Sequence, residues 1–559
     1  MRFSLRDCLH VICCVVVVGF GSATYAQQAS THPSPIVSDV ADAQLRTGIE
    51  HEQNQRWLEA IQHYEAASRR FPDHAELKRR LLISRLHYDV LRRCLDVAMH
   101  DNLKQASVQD VLELYSEVLA RLEMSYVDPL EMTQLVRGGT AYLEVALTEP
   151  KFVNAFLPGQ DPQAIEQFRT SIHRLTLART VNNRFDARSI VASAAATAEK
   201  QIGLNPTITV MQFVFGAVGL LDPYSSFLST TELNEVESQI EGNFVGLGIA
   251  LKPHEVPLQV LSVIPNGPAM EAGLQPGDAI IEIGSSRCEE VGAERAADLL
   301  RGPERSHVRL LIDREGTTFE RVVARRRVEV PSIEDVSLID PAAGVAYLKI
   351  SSFQKTTANE LDEALWSLHR QGMQNLIIDL RGNPGGWLDA AVAVADRFIQ
   401  EGGIVSTRGK NGIENQNYTA NRSGTWQVPL ILLIDHESAS ASEILAGAIN
   451  DNRRGLLVGS TSYGKGSVQG LFHTKALSSG IRLTVSKFYS PTGAAISERG
   501  VQPNIPVEVE LPTERMVSKP IIGGDGAALK PATANGDKVL QVAIEQARNR
   551  NLTAQVSRN

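Results

Sequence analysis

A chain of 559 residues with 43% hydrophobic and 21% charged side chains has enough material for several cores, and this balance argues against global disorder. Its 55 Lys and Arg stand against 64 Asp and Glu, a net charge of −9. That diffuse negative balance argues against nucleic-acid binding, which needs a basic face. The local run Arg325-Arg326-Arg327 reads as the solvated end of a strand.

Arg2 and Arg6 precede the apolar run Val11 to Phe20, and Thr24-Tyr25-Ala26 offers a small-residue cleavage site. Residues 1–26 therefore read as an export signal. An apolar run of about ten residues is short of the ~20 a membrane span needs. The expectation is an exported protein, periplasmic in a cell with an outer membrane. An uncleaved signal acting as a membrane anchor is the alternative. Three of the five cysteines (Cys8, Cys13, Cys14) lie in this signal. Cys94 and Cys288 fall in different predicted domains, so no internal disulfide is expected. No CxxC or His-rich cluster points to a metal, and no cofactor is predicted.

Residues 27–40 are polar, contain Pro33 and Pro35, and read as a linker. In 41–100, Gly48, Trp57, Ala60, Tyr64, Ala67 and Pro72 match the tetratricopeptide pattern of small and aromatic residues on two packed helices. They also suit a generic helical hairpin. A helix follows around Leu77 to Met99. From 101 to 241 the pattern stays helical. "VLELYSEVLARLEMSYVDPLEM" has apolar residues at three-to-four spacing before Pro129, and "VMQFVFGAVGLLDPYSSFL" is a second apolar helix ended by Asp222-Pro223.

The texture changes at Gly242. Residues 242–330 alternate short strands and turns, ending in "HVRLLIDREGTTFERVVARR", two strands joined by an Arg-Glu-Gly turn. This is a compact, mostly β module. From 331 to 510 strands and helices alternate. "GVAYLKI", "NLIIDL", "VPLILLI", "GLLVGS" and "IRLTVSKFYS" read as strands, and "TANELDEALWSLHRQ", "LDAAVAVADRFI" and "SASEILAGAIN" as helices. Such alternation implies a largely parallel sheet covered by helices. Residues 511–559 form a polar, glycine-rich tail with one helix, Asp537 to Arg548. The fold class is thus α+β and multidomain.

α/β sheets build sites at the carboxyl ends of their strands. One loop there is Arg381-Gly382-Asn383-Pro384-Gly385-Gly386. Its glycines let backbone N–H groups face a small cavity, as a phosphate cradle or an oxyanion hole needs. It lacks the GxxxxGK[ST] spacing. The other loop opens "HESASASEILAGAI", His436 to Ile449. It suits a plain helix cap, and it also offers a nucleophile at Ser438, Ser440 or Ser442. Ser440 falls where strand turns to helix, beside the free N–H groups of a helix N-terminus.

A serine hydroxyl needs a base. His436 is near in sequence, but no G-x-S-x-G elbow is present. Lys465, between Gly464 and Gly466, is the other candidate. Desolvation lowers a lysine's pKa and lets it accept a proton. The same lysine could cap a helix or pair with an acid. Gln469, four positions on, could orient the amine or the substrate.

"SASASEILAGAINDNRRGLLVGSTSYGKGSVQ", with the upstream "DLRGNPGG", closely resembles the carboxyl-terminal processing peptidases, or tail-specific proteases. "YVD" (Tyr126 to Asp128), "LLDPYSSFL" and "YSPTGAAISERGVQPN" also resemble segments of that family, and the likeness covers roughly residues 108–510. It implies a PDZ domain at 242–330 and a serine protease core of the ClpP/crotonase-like type at 331–510. It implies Ser440 as nucleophile, Lys465 as general base 25 positions on (465 − 440), and Gln469 as their companion. The oxyanion donors are then the N–H of Ala441 and of Gly385 or Gly386. Ser438 and Ser442 become structural, through loop hydrogen bonding and helix capping respectively. The family often has LDPH where this chain has Leu221-Asp222-Pro223-Tyr224, a segment outside the dyad.

PDZ domains add a peptide strand to a sheet edge and hold its carboxylate in backbone N–H groups. Here that loop is Gly246-Leu247-Gly248-Ile249, with Leu and Ile suited to an apolar terminal side chain. By itself the loop also reads as an ordinary bulge or turn. The expected partners are proteins or peptides with exposed C-termini, and a protein bound by the N-terminal helical repeat. The competing readings are a partner-activated protease, an inactive periplasmic scaffold of helical-repeat and PDZ modules, and a hydrolase of another acyl bond.

Overall fold

The computed structural model describes residues 35–177, 180–252, 255–508 and 536–556. The export signal, its cysteines and the tail residues 509–535 lie outside them. The predicted linker is shorter than expected, since a helix already begins at Pro35. Two compact units divide the chain: one runs to Leu233 and includes Gln469–Val485, and the other holds Asn234–Val468, the segment from Ser486 and the C-terminal helix.

In the first unit, helices Pro35–Gln53, Trp57–Arg70 and Ala75–Leu95 pack in succession. Trp57, Ala60, Tyr64 and Ala67 are buried at the spacing that defines one helix face. Gly48 is glycine because the Tyr64 ring lies on it: a Cβ there would come within 2.1 Å of that ring. Helices Met132–Ala146 and Pro206–Gly219 cross just as closely. A Cβ on Gly216 would meet the Gly138 carbonyl at 2.5 Å, and one on Gly139 would meet the Phe213 ring at 2.3 Å. The first two family-like segments join locally, together with the strand at 480–484. Tyr126 donates its hydroxyl to the Leu221 carbonyl (3.2 Å), and Val127 N–H donates to the Thr484 carbonyl (2.9 Å). Asp222 accepts from Tyr224 N–H, Ser225 N–H and Thr484 Oγ1. Strand Ser226–Leu228 pairs antiparallel with Gly480–Arg482.

In the second unit, the β module carries a sheet ordered Ile249–Leu251, Leu258–Val263, Ala279–Ile283, His307–Arg314, Thr317–Ala324. Strand Asn243–Gly246 pairs separately with Arg326–Glu329. The Arg-Glu-Gly turn is a tight hairpin, with Glu315 and Gly316 both at positive φ (52° and 83°), as a two-residue connection of right-twisted strands requires. The arginine run departs from expectation. Arg325 is 8% exposed, and its guanidinium donates to the carbonyls of Leu299, Leu300 and His307. It closes a loop that would otherwise bury unpaired carbonyls. Only Arg327 of the three is exposed.

The core of this unit is a six-stranded sheet ordered Ile333–Asp340, Val345–Ile350, Asn375–Asp379, Leu430–Ile434, Gly455–Gly459, Ile505–Pro506. The first pair is antiparallel and the rest are parallel. Its central strands are mainly apolar because both faces are covered. Ala346, Leu348, Leu376, Ile378, Leu430 and Leu432 face helices Thr357–Arg370, Leu388–Ala395 and Ala441–Asp451. The alternate residues Val345, Tyr347, Ile377, Ile431 and Leu433 face the C-terminal helix Lys538–Val556, longer than the one predicted. "IRLTVSKFYS" stays out of this sheet: residues 486–489 pair antiparallel with Gly403–Gly409.

Candidate active site

Strand Leu430–Ile434 ends in a loop that delivers Ser440 as the cap of helix Ala441–Asp451. The three candidate serines now separate. Ser438 is 1% exposed; its hydroxyl donates to the Leu380 carbonyl (2.8 Å) and accepts from Asp435 N–H (3.0 Å). Ser442 is fully buried and donates to the Asn383 carbonyl (3.0 Å). It pins the glycine loop, a different task from the helix capping expected of it. Ser440 alone of the three is half-exposed. Its backbone sits at φ 54°, ψ −111°, a conformation that costs a non-glycine residue of order 1–3 kcal/mol.

The glycine loop lies directly on this turn. Asn383, fully buried, donates to the Ile350 carbonyl, while its backbone carbonyl accepts from Ala439 N–H (3.0 Å). Gly385 stands at φ 107°, where a Cβ would lie 2.8 Å from Ser440 Cβ and 2.9 Å from Ala441 N. Its N–H donates to Asn383 Oδ1 (2.8 Å), and its carbonyl accepts from Phe353 N–H. Gly386, at φ 141°, passes so close to Phe353 that a Cβ would be 2.1 Å from that carbonyl oxygen. Ala441 opens the helix, where first-turn N–H groups have no intrahelical acceptor.

Lys465 is half-buried, in the loop after strand Gly455–Gly459. Both flanking glycines are forced by the segment at 497–498. A Cβ on Gly464 would meet the Glu498 backbone at 3.1 Å, and one on Gly466 would meet Ser497 N at 2.4 Å. Tyr463 N–H donates to the Ser438 carbonyl, tying this loop to the serine loop. Gln469 lies half-buried on strand Ser467–His473.

One residue passed over in the sequence joins these parts. Glu443 is fully buried, and its carboxylate accepts four hydrogen bonds. Oε2 takes Ser440 N–H (2.8 Å) and Lys465 N–H (2.9 Å), while Oε1 takes Gly464 N–H (2.7 Å) and Ser462 Oγ (2.6 Å). Ser462 in turn accepts from Val501 N–H, which directs its proton to Glu443. Burial pushes the Glu443 pKa above the ordinary 4.5, and the four donors pull the other way. Because every partner donates, the ionised form is the one that fits. The sequence signal was present, since Ser440-x-x-Glu443 is the spacing of a capping box.

The Gly246–Ile249 loop sits apart from these residues, in the β module. Leu247 is 2% exposed and packs in that module's core. The Leu247 and Gly248 carbonyls accept from Ala269 and Ile264 N–H. Ile249 begins the strand at one edge of the module's sheet, and Gly246 ends the separate strand paired with Arg326–Glu329.

Residues 344–507 match the model of peptidase family S41, and 259–314 match that of the PDZ domain. A carboxy-terminal-processing protease of Bartonella bacilliformis is 33% identical over 299 residues, covering 52% of this chain and 68% of its own. One from Synechocystis is 33% identical over 304 residues, covering 54% and 71%. The solved photosystem II D1 C-terminal processing protease aligns over 72% of this chain and 95% of its own, at 23% identity and a TM-score of 0.36. The identity and coverage of the first two, with the family and PDZ matches in the same order along the chain, place it: this chain belongs to the carboxyl-terminal processing proteases of peptidase family S41, serine-type peptidases, and carries a PDZ domain.

Proposed function

We propose that the protein is an exported endopeptidase that works by a Ser440–Lys465 dyad and selects its substrates by their C-terminal tails. The observation that carries this reading is the buried Glu443 carboxylate, which bonds Ser440 N–H and Lys465 N–H through one oxygen. Ser440 Oγ attacks the scissile carbonyl carbon while the neutral Lys465 amine takes the hydroxyl proton. The negative charge that moves to the carbonyl oxygen is met by Ala441 N–H and Gly386 N–H. Gly386 is preferred to Gly385 because Gly385 N–H is already spent on Asn383. Collapse expels the amine, protonated by Lys465. Water, with Lys465 again as base, then cleaves the acyl ester and restores Ser440. Gln469 orients the amine or the substrate. A positioned base contributes roughly 10²–10⁴-fold and an oxyanion donor on the order of 10²–10³-fold.

The PDZ domain, assigned to 242–330, takes a substrate tail as an added strand on the Ile249–Leu251 edge. Its carboxylate meets backbone N–H groups of Gly246 to Ile249. The tetratricopeptide-like region at 41–100 binds a protein partner, the core occupies 331–510, and the signal directs the chain to the periplasm or leaves it anchored in the membrane. An inactive scaffold is disfavoured because Ser440 and Lys465 are both kept. Paired peptides with free and amidated carboxyl termini test tail selection: the free form is cleaved faster, and equal rates contradict it.

A further inference from the structure

The match to peptidase family S41 ends at residue 507, yet the helix Lys538–Val556 beyond it touches the loop that carries the glycines. Its cap residue Asp537 accepts Leu540 N–H (3.0 Å) and grips Arg381 at the same time. Arg381 Nη1 donates to Asp537 Oδ1 (2.9 Å) and Nη2 to Asp537 Oδ2 (2.8 Å). From the other side Asp379 accepts from Arg381 Nε and Nη2 (3.0 and 2.6 Å), and Tyr347 donates its hydroxyl to Asp379 (2.9 Å). Two carboxylates thus bracket one guanidinium that is only 22% exposed. Burial works against the Arg381 charge, but the two acids hold its pKa above the ordinary value, and Arg381 holds that of Asp537 below it.

Arg381 is the first residue of the glycine loop. Next to it Gly382 N–H is held by Asp435 (3.1 Å), and two residues on Asn383 fixes Gly385. The loop is therefore held at its base, at Gly382 and at Gly385, the residue before its donor. The base pin comes from 156 positions away in the chain.

The geometry points to Asp537 as a positioning residue: by clamping Arg381, the C-terminal helix sets the place of the glycine loop, and through it the oxyanion donor. This rests on the Ser440–Lys465 reading above. Only the cap of this helix reaches the loop; its body covers the sheet.

Cleavage of fluorescein-labelled casein by the full chain tests it. Asp537→Asn keeps an oxygen for Leu540 N–H, and Asn and Asp cap helices about equally well. Its amide nitrogen, a donor, repels the guanidinium. Asp537→Ser also caps but is too short to reach Arg381. In both variants kcat falls about tenfold, KM stays within about twofold, and the thermal midpoint changes by only a few degrees. Leu540→Ala is the counterpart. Leu540 is fully buried under the sheet, so its loss lowers the thermal midpoint while kcat, measured well below it, is unchanged. The clamp is overturned if both Asp537 variants keep kcat within about twofold of the parent, or if Leu540→Ala loses as much kcat as they do at matched stability. Ser440→Ala is run alongside. Cleavage surviving there discards the active-site reading, whereas silence there with active Asp537 variants discards the clamp alone.

Discussion

Glu443 shows how one side chain can decide a site it does not chemically enter. Its carboxylate stabilises the rare backbone of Ser440 and sets Lys465 beside it through main-chain N–H groups. Glu443→Gln keeps the size but turns one acceptor into a donor facing N–H groups. The expected loss in kcat is on the order of 10²-fold with KM little changed, read by steady-state kinetics. A variant within about twofold of the parent would contradict the role. The proton linkage has a definite sign. The folded-state pKa lies above 4.5, so the native protein binds this proton more tightly than the unfolded chain does. The stability of the parent relative to Glu443→Gln therefore falls as pH rises from 4.5 through the raised value. Denaturant melts of both across that window measure it, and a flat or rising difference refutes the assignment. Ser442→Ala loosens the glycine loop from its other side: losing its bond to Asn383 costs about 1–2 kcal/mol in the same melts, and kcat falls with KM little changed.

At the scale of elements, much was legible because hydrophobic period and turn chemistry are local. The buried strands, the helix after Ser440, the Glu315-Gly316 hairpin and both glycine-bearing loops follow from runs of a few residues. What stayed hidden depends on partners far away in sequence. "IRLTVSKFYS" alternates apolar and polar residues, unlike the continuous apolar runs of the parallel sheet, but the strand it pairs with, Gly403–Gly409, is named by nothing local. Arg325 reads as solvated until the loop carbonyls at 299 and 300 come to it. Glu443 has only the local spacing of a capping box, and the fold alone brings the Gly464 loop to its other oxygen. Tight helix crossings are a third case, since glycines in an apolar helix look like a weakness. Gly216→Ala places a methyl 2.5 Å from the Gly138 carbonyl and must push two buried helices apart. The expected cost is about 1–3 kcal/mol, checked by thermal or denaturant melts, and an unchanged midpoint would show that the crossing gives way freely.

Over the whole molecule, the account rests on three loops meeting at the carboxyl ends of parallel strands: one brings a nucleophile, one a base, one an oxyanion donor. The most direct test is cleavage of casein by the full chain beside its Ser440→Ala and Lys465→Ala variants. The account predicts cleavage by the parent and loss of at least about 10²-fold in each variant. Undiminished cleavage by folded Ser440→Ala or Lys465→Ala protein would contradict the dyad.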